Sequence, residues 1–187
     1  MDGSGDMHTE LVALVLADHQ EAKRLLERFD TLPASERGDA FCEITYELVR
    51  HEVAEEEVVY PALRRFADGG DDLADMRIEE QSAAEELLKK MEKAGVEDAE
   101  FPSMFAKLRT EVLAHADAEE KTVFPELTSN VNADELRTLG KRYEMAKKVA
   151  PTHPHPHAPD TPPGNVVLGP VAAIIDRVRD AVRGVKA

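Results

Sequence analysis

The sequence predicts an all-α fold, an antiparallel up-down-up-down four-helix bundle followed by extra C-terminal helices. Ala, Glu, Leu and Val dominate a composition with 5% aromatic residues and no Trp, which favours helices. A segment that begins at His51 recurs at His115, with Tyr60 matched by Phe124 and a proline after each aromatic residue. A repeat at fixed spacing indicates two like units. Two helical hairpins with inward apolar faces form such a bundle.

The length, charge and cysteine content of the chain limit its class. A chain of 187 residues suggests one domain with an extension. The net charge of -15 argues against nucleic acid or an anionic membrane as a partner. The single cysteine, Cys42, excludes a disulfide framework and cysteine-based zinc or iron–sulfur sites. Neither a signal peptide nor a bilayer-spanning apolar run is present, so we expect a soluble, cytoplasmic protein.

The first helix is predicted from Thr9 to Phe29, with His19 on its apolar stripe. A lone histidine in that position is more often a core residue than a metal ligand, but the polar pairs described below reverse this preference. After a turn at Pro33, a second helix is predicted to end or kink at Pro61. A loop is predicted over residues 68–72, which are rich in Asp and Gly.

The third and fourth helices repeat the first and second. The third is predicted from Leu73 to Ala94, and Asp18-His19 of the first helix aligns with Glu80-Gln81. Glu85 lies on the inner face of this helix, four residues after Gln81. The fourth helix follows Pro102 and is predicted to close at Pro125.

Each copy of the repeat holds a His and a Glu four residues apart, His51/Glu55 and His115/Glu119, which places both side chains on one helical face. That face is the apolar stripe, where a bare buried carboxylate costs several kcal/mol or more. A bound cation between the two helices could satisfy all four groups. The alternative, an ordinary solvated face, suits the acidic residues off the stripe: Glu52, Glu56, Glu57, Asp117 and Glu120.

The C-terminal part is predicted to contain three segments. A fifth helix spans Asp134 to Val149 and completes a domain over residues 1–149. Residues 150–165 form a Pro/His-rich extended linker. Its histidines could catch a metal, although a stiff connector is the simpler interpretation. Residues 166–187 form an amphipathic helix that docks on its own bundle, self-associates or binds a partner.

These motifs resemble the hemerythrin-like HHE cation-binding domains over roughly residues 8 to 128. The resemblance is carried by His19 on the apolar stripe of the first helix and by the two HxxxE pairs, each followed by an aromatic-Pro pair. It implies a bundle enclosing two non-haem iron ions with an oxo or hydroxo bridge. It also implies that His51 and His115 bind terminally, that Glu55 and Glu119 bridge the metals, and that His19 caps one iron.

The third helix departs from the pattern of the oxygen carriers in this family, which place two histidines four residues apart there. Here those positions are Gln81 and Glu85. Glu85 would add a carboxylate ligand, and Gln81 would act as a weak amide ligand or as a hydrogen-bond donor near the metal. Anionic oxygen ligands favour ferric over ferrous iron. We therefore expect a lower reduction potential than reversible oxygen storage requires.

The favoured function is a di-iron protein that reacts with or senses peroxide, oxygen or nitric oxide. If it is an enzyme, the expected activity is catalase-like or peroxidase-like. One alternative is an iron- or oxygen-sensing binding module that controls docking of the C-terminal helix. Another is a structural zinc or manganese bundle, because His and carboxylate ligands suit several divalent ions.

Overall fold

The computed structural model describes residues 11–154, and within them the predicted all-α bundle is confirmed. The helices are α1 (Leu11–Thr31), α2 (Ala34–Ala54), α3 (Tyr60–Phe66), α4 (Gly70–Ala94), α5 (Phe101–Asn130) and α6 (Ala133–Val149). A π-helical turn, Glu55–Val59, joins α2 to α3, so these elements form one continuous helix. The predicted linker beyond residue 154 and the predicted helix at 166–187 lie outside the described residues.

Four helical walls enclose the interior. α1 packs against α2 and α5, and α4 packs against α5 and α3. α6 lies on the outside of the bundle, against α1, α2 and the π turn. Within residues 11–154, no helix is long and apolar enough to cross a membrane.

Glycine and asparagine mark the boundaries of the later helices. Gly69 precedes α4 with a φ of 73° and Gly95 follows it with a φ of 82°, a region of backbone space that favours residues without a Cβ. The Asn132 side chain accepts a hydrogen bond from the Glu135 N–H at 3.0 Å, which caps the start of α6.

The prediction that the fourth helix closes at Pro125 is wrong, because α5 continues through this proline to Asn130. A proline inside a helix removes one hydrogen-bond donor and crowds the preceding turn. Here Phe124 and Leu127 on the same stretch are buried in the core, and their packing holds the last turns in place. The Thr128 hydroxyl also donates to the Phe124 carbonyl at 2.9 Å.

The second helix likewise does not end at Pro61 but continues to Phe66. Its irregularity precedes the proline and takes the form of the π turn, in which the Tyr60 N–H donates to the carbonyl of Glu55 five residues earlier. A proline offers no N–H to the carbonyl four residues before it, so a shifted hydrogen-bond pattern is favourable here. π turns are frequent at functional sites, and this one begins at Glu55.

The core consists of two apolar clusters with a polar layer between them. Along α1, Val15 belongs to one cluster and Ala22 to the other, and His19 lies between. Along α2, Leu48 and Ala54 belong to different clusters in the same way. The bundle therefore places His19 and His51 at one depth, between the two apolar clusters.

Candidate metal centre

Four predicted ligands converge in this polar layer. Ligand atoms of His19, His51, Glu55 and Glu119 all lie within 4.8 Å of one another, and all four residues are buried. They come from α1, α2, the π turn and α5, so the cluster forms only when the bundle is assembled. The internal repeat explains the arrangement, because it places a His/Glu pair on each of two facing helices.

The imidazole Nε2 atoms face the two carboxylates. His51 Nε2 is 3.3 Å from Glu55 Oε1, and His19 Nε2 is 3.2 Å from Glu119 Oε2. His115, predicted from the second repeat, adds its Nε2 at 3.6 Å from Glu119 Oε2 and at 3.9 Å from Glu55 Oε2. Three imidazoles and two carboxylates therefore surround one small volume.

The two remaining predicted residues lie on α4 and differ in their placement. Gln81 is buried, and its amide N–H donates to Glu55 Oε2 at 2.6 Å. Glu85 is half-buried and is not a member of the four-residue group. Its charge acts instead on Glu52, whose pKa is raised first by burial and then by Glu85.

An outer layer of hydrogen bonds fixes the histidine rings. His115 Nδ1 lies 2.8 Å from Glu80 Oε2, and His19 Nδ1 lies 3.1 Å from Glu120 Oε1. The partner of His51 Nδ1 is the Tyr143 hydroxyl at 2.8 Å. Partners of this kind orient metal-binding histidines and set which ring nitrogen is free. They leave all three Nε2 atoms directed at the carboxylates.

These outer partners were not singled out from the sequence. The Tyr143 hydroxyl donates to Asp18 Oδ2 at 2.7 Å, and the Tyr60 hydroxyl donates to Glu119 Oε1 at 3.0 Å. The alignment of Asp18 with Glu80 in the repeat was a usable signal, since both carboxylates support a histidine of their own half. A tyrosine on an inward helical face was another, because a buried tyrosine usually finds a hydrogen-bond partner.

Burial and close opposite charges shift the pKa values of the residues in the cluster. Burial alone would lower the pKa of His19, but the nearby carboxylates of Glu119 and Glu55 raise it to about 10. Burial acts in the same direction on His115, and the nearby carboxylates of Glu55 and Glu119 raise its pKa to about 9. Against the effect of burial, His51 and the other two histidines bring the pKa of Glu55 well below its usual range.

Among residues 11–154, several buried polar atoms of the cluster have no hydrogen-bond partner. They are His19 Nε2, Glu55 Oε1, Glu119 Oε2 and Gln81 Oε1. Unpaired buried polar atoms are costly, and all four belong to residues of the same small volume. Imidazole nitrogen and carboxylate oxygen are ligands for iron, zinc and manganese. The residues present therefore fit a metal ion.

A cavity of about 240 Å³ adjoins the cluster and is lined by residues of α1, α2, α4 and α5. Its walls include His19, His51, Gln81 and His115, together with Glu52 and small apolar side chains such as Ala84 and Ala114. The expectation that Glu52 is solvated is wrong, because this residue is only 6% exposed and faces the cavity. A small molecule that enters the cavity would therefore reach the histidines directly.

The raised pKa values of His19 and His115 predict how the metal-free protein responds to pH. Their stabilising contribution is complete below the unfolded value of about 6.5 and is lost as the pH rises through about 9 to 10. Urea unfolding in a chelator at several pH values should show this loss. In His19→Gln, the fall in the free energy of unfolding between about pH 9 and 10 should be smaller. In His153→Gln, it should be the same as in wild type. Equal profiles for wild type and His19→Gln would contradict the assignment.

Comparison with known proteins agrees with this geometry. The sequence model of the hemerythrin HHE cation-binding domain family matches residues 10–127 of this chain. The chain is 33% identical over 139 residues to an uncharacterised hemerythrin-like protein of Schizosaccharomyces pombe. The aligned residues cover 74% of this chain and 68% of that protein. It is 25% identical over 146 residues to a DNA nickase of Nostoc, over 78% of this chain and only 41% of that protein.

No solved structure gives a significant match. The family match covers more than half of the chain and includes every residue of the buried cluster. The 33% identical relative is itself named for the same family. The chain therefore belongs to the hemerythrin HHE cation-binding domain family.

Proposed function

We propose that this protein binds two non-haem iron ions and reacts with hydrogen peroxide, oxygen or nitric oxide, with peroxide as the first substrate to test. The observation that carries the proposal is the convergence of three imidazole Nε2 atoms on two buried carboxylates that have unpaired oxygens. Bound iron would supply one-electron exchange with the oxidant. The chain supplies the ligands, their orientation and the route of access.

The positions of the Glu55 oxygens support two metals rather than one. Oε1 lies 3.3 Å from His51 Nε2 and 3.9 Å from His19 Nε2. Oε2 lies 3.9 Å from His115 Nε2. Because its two oxygens lie near different histidines, Glu55 would be suited to bridge two ions. His51 and His115 would then be the terminal ligands.

The other residues take roles that follow from their contacts. Glu119 would be the second bridge, because its Oε2 lies near both His19 and His115. Gln81, which already bonds Glu55, would orient that bridge or offer its unpaired amide oxygen. Glu85, predicted as a further carboxylate ligand, is half-buried and lies outside the four-residue group.

The cavity supports a small substrate. Its volume of about 240 Å³ suits a small molecule, and alanine, valine and leucine side chains line about half of it beside the histidines and the carboxylates Glu52, Glu80 and Glu111. In the enzymatic version, two molecules of hydrogen peroxide are converted to two of water and one of oxygen. The net charge of -15 opposes contact with a polyanion, so the activity of the Nostoc DNA nickase is not proposed for this chain.

The test combines metal content, an optical spectrum and peroxide consumption on protein produced with ample iron. We expect about two irons per chain, as in di-iron bundles, and rapid peroxide loss. His51→Ala should lose both properties. His153→Ala is a matched control, since His153 pairs with Glu92 away from the cluster, and should retain both.

Three other results would contradict parts of the proposal. One iron per chain would indicate that only one side of Glu55 holds metal. Zinc or no metal would end the redox function and favour a structural bundle. Two irons without any reaction with peroxide, oxygen or nitric oxide would leave a metal-binding module without catalysis.

A further inference from the structure

The helix α6 contributes to the surroundings of His51 although it lies outside the family domain at residues 10–127. It places Tyr143, which is 1% exposed, between His51 and Asp18. The Tyr143 hydroxyl is 2.8 Å from His51 Nδ1 and 2.7 Å from Asp18 Oδ2. One turn later, Lys147 of the same helix holds the other oxygen, Asp18 Oδ1, at 2.7 Å.

The direction of each hydrogen bond follows from the donors available. The carboxylate of Asp18, paired with the Lys147 ammonium, can only accept. The single hydroxyl proton of Tyr143 must therefore point to Asp18, and its oxygen is left to accept from His51 Nδ1–H. A neutral imidazole with its proton on Nδ1 has its lone pair on Nε2. That lone pair lies on the side of Glu55 and the proposed metal.

A comparison of the two halves of the repeat shows why the tyrosine is needed. Glu80 reaches His115 Nδ1 directly at 2.8 Å. Its counterpart in the first half, Asp18, has a shorter side chain, and its Oδ2 remains 3.6 Å from His51 Nδ1. Tyr143 closes this gap. The second half meets the same requirement within the bundle, whereas the first half depends on α6.

We propose that Tyr143 is a positioning residue that fixes His51 with Nε2 free for metal, so that α6 is part of the metal centre. The inference rests on the proposed function only in that the cluster binds a metal ion. It requires no redox chemistry. It extends the working site beyond the family domain to a helix that the domain does not contain.

The first test measures the affinity for Zn²⁺, a redox-inert probe, by competition with a chelator. Loss of an orienting partner of a metal-binding histidine costs roughly 10- to 100-fold in affinity, and we expect this loss for Tyr143→Phe. Tyr46→Phe is the matched control on α2, where the Tyr46 ring lies beneath the Arg50 guanidinium. The control should bind Zn²⁺ as wild type does.

A second variant, Asp18→Asn, replaces one carboxylate oxygen with an NH₂ group of similar size. It therefore puts a hydrogen-bond donor where the wild type has an acceptor. Because the Lys147 ammonium can only donate, the amide oxygen faces Lys147 and the amide N–H faces Tyr143. The tyrosine proton then turns to His51 Nδ1, and the imidazole proton moves to Nε2, where it blocks the ligand atom. Zn²⁺ affinity should fall about as far as in Tyr143→Phe. Asp30→Asn, at a surface pair with Arg109, should leave it unchanged.

A readout on metal-free protein separates orientation from packing. Nuclear magnetic resonance of ¹⁵N-labelled histidine should show a slowly exchanging Nδ1 proton on His51 in wild type, and this protection should be lost in Tyr143→Phe. Zn²⁺ affinity within about two-fold of wild type in both variants, well short of the expected loss, would overturn the inference. So would an unchanged His51 proton. If wild type binds neither Zn²⁺ nor iron, the proposed function fails, and the His51 spectrum alone decides this inference.

Discussion

Saturation with iron is expected to raise the midpoint of thermal unfolding by on the order of 10 °C. A ligand that binds only the folded state stabilises it by about 4 kcal/mol when its free concentration is about 1,000 times its Kd. For a chain of this length, 1 kcal/mol corresponds to roughly 2–4 °C. The physical origin is the crowding of two imidazoles and two carboxylates within 4.8 Å of one another in the core, which a cation relieves.

The matched variants for this measurement differ in burial. Glu119→Ala removes a fully buried carboxylate of the cluster and should abolish the rise on addition of metal. Glu79→Ala removes an exposed carboxylate from α4 and should leave the rise intact. Differential scanning calorimetry with and without chelator measures the shift. A similar rise in wild type and Glu119→Ala would place the metal elsewhere on the protein.

Replacement of Gly70 by alanine is expected to destabilise the fold by about 1–3 kcal/mol, toward the upper end of this range for overpacking. A Cβ at Gly70 would lie 2.2 Å from the Leu63 carbonyl oxygen and 2.7 Å from its carbon. Both atoms are backbone and cannot rotate away, so the start of α4 or the end of α3 must move. Urea unfolding of the metal-free protein measures the change in the free energy of unfolding.

Two other glycines provide controls for this substitution. Gly38 lies within α2 with nothing near its Cβ position, so Gly38→Ala should stabilise the helix by about 0.8–1 kcal/mol through propensity alone. Gly69 also has open space but a φ of 73°, and Gly69→Ala should cost about 1–2 kcal/mol through strain. A Gly70→Ala protein as stable as wild type would show that α3 and α4 can separate freely.

Much of the fold and of the candidate site could be predicted from the sequence because both are periodic. Three- and four-residue steps of apolar side chains identify the helices, and the repeat places His51, Glu55, His115 and Glu119 on facing seams. His19 followed from the same register. These features depend only on spacing along a helix, which the sequence displays directly.

The features that the sequence did not predict depend on contacts between distant segments. Tyr143 meets Asp18 across 125 positions of the chain, and no local pattern pairs them. Glu52 lies one position outside the apolar stripe of its helix, yet it is buried and lines the cavity. Local propensity predicts a helix end at Pro125, whereas the burial of Leu127 extends the helix to Asn130.

The π turn makes the two halves of the repeat structurally different. It adds one residue to the helical turn after Glu55, whereas α5 passes Glu119 as a regular helix, so the residues downstream differ in phase by roughly 100°. Tyr60 accordingly bonds Glu119, while its counterpart Phe124 stacks on His19 with ring centroids 5.6 Å apart. The two halves share one sequence pattern but are not interchangeable modules, and a protein built from two copies of either half would not reproduce this centre.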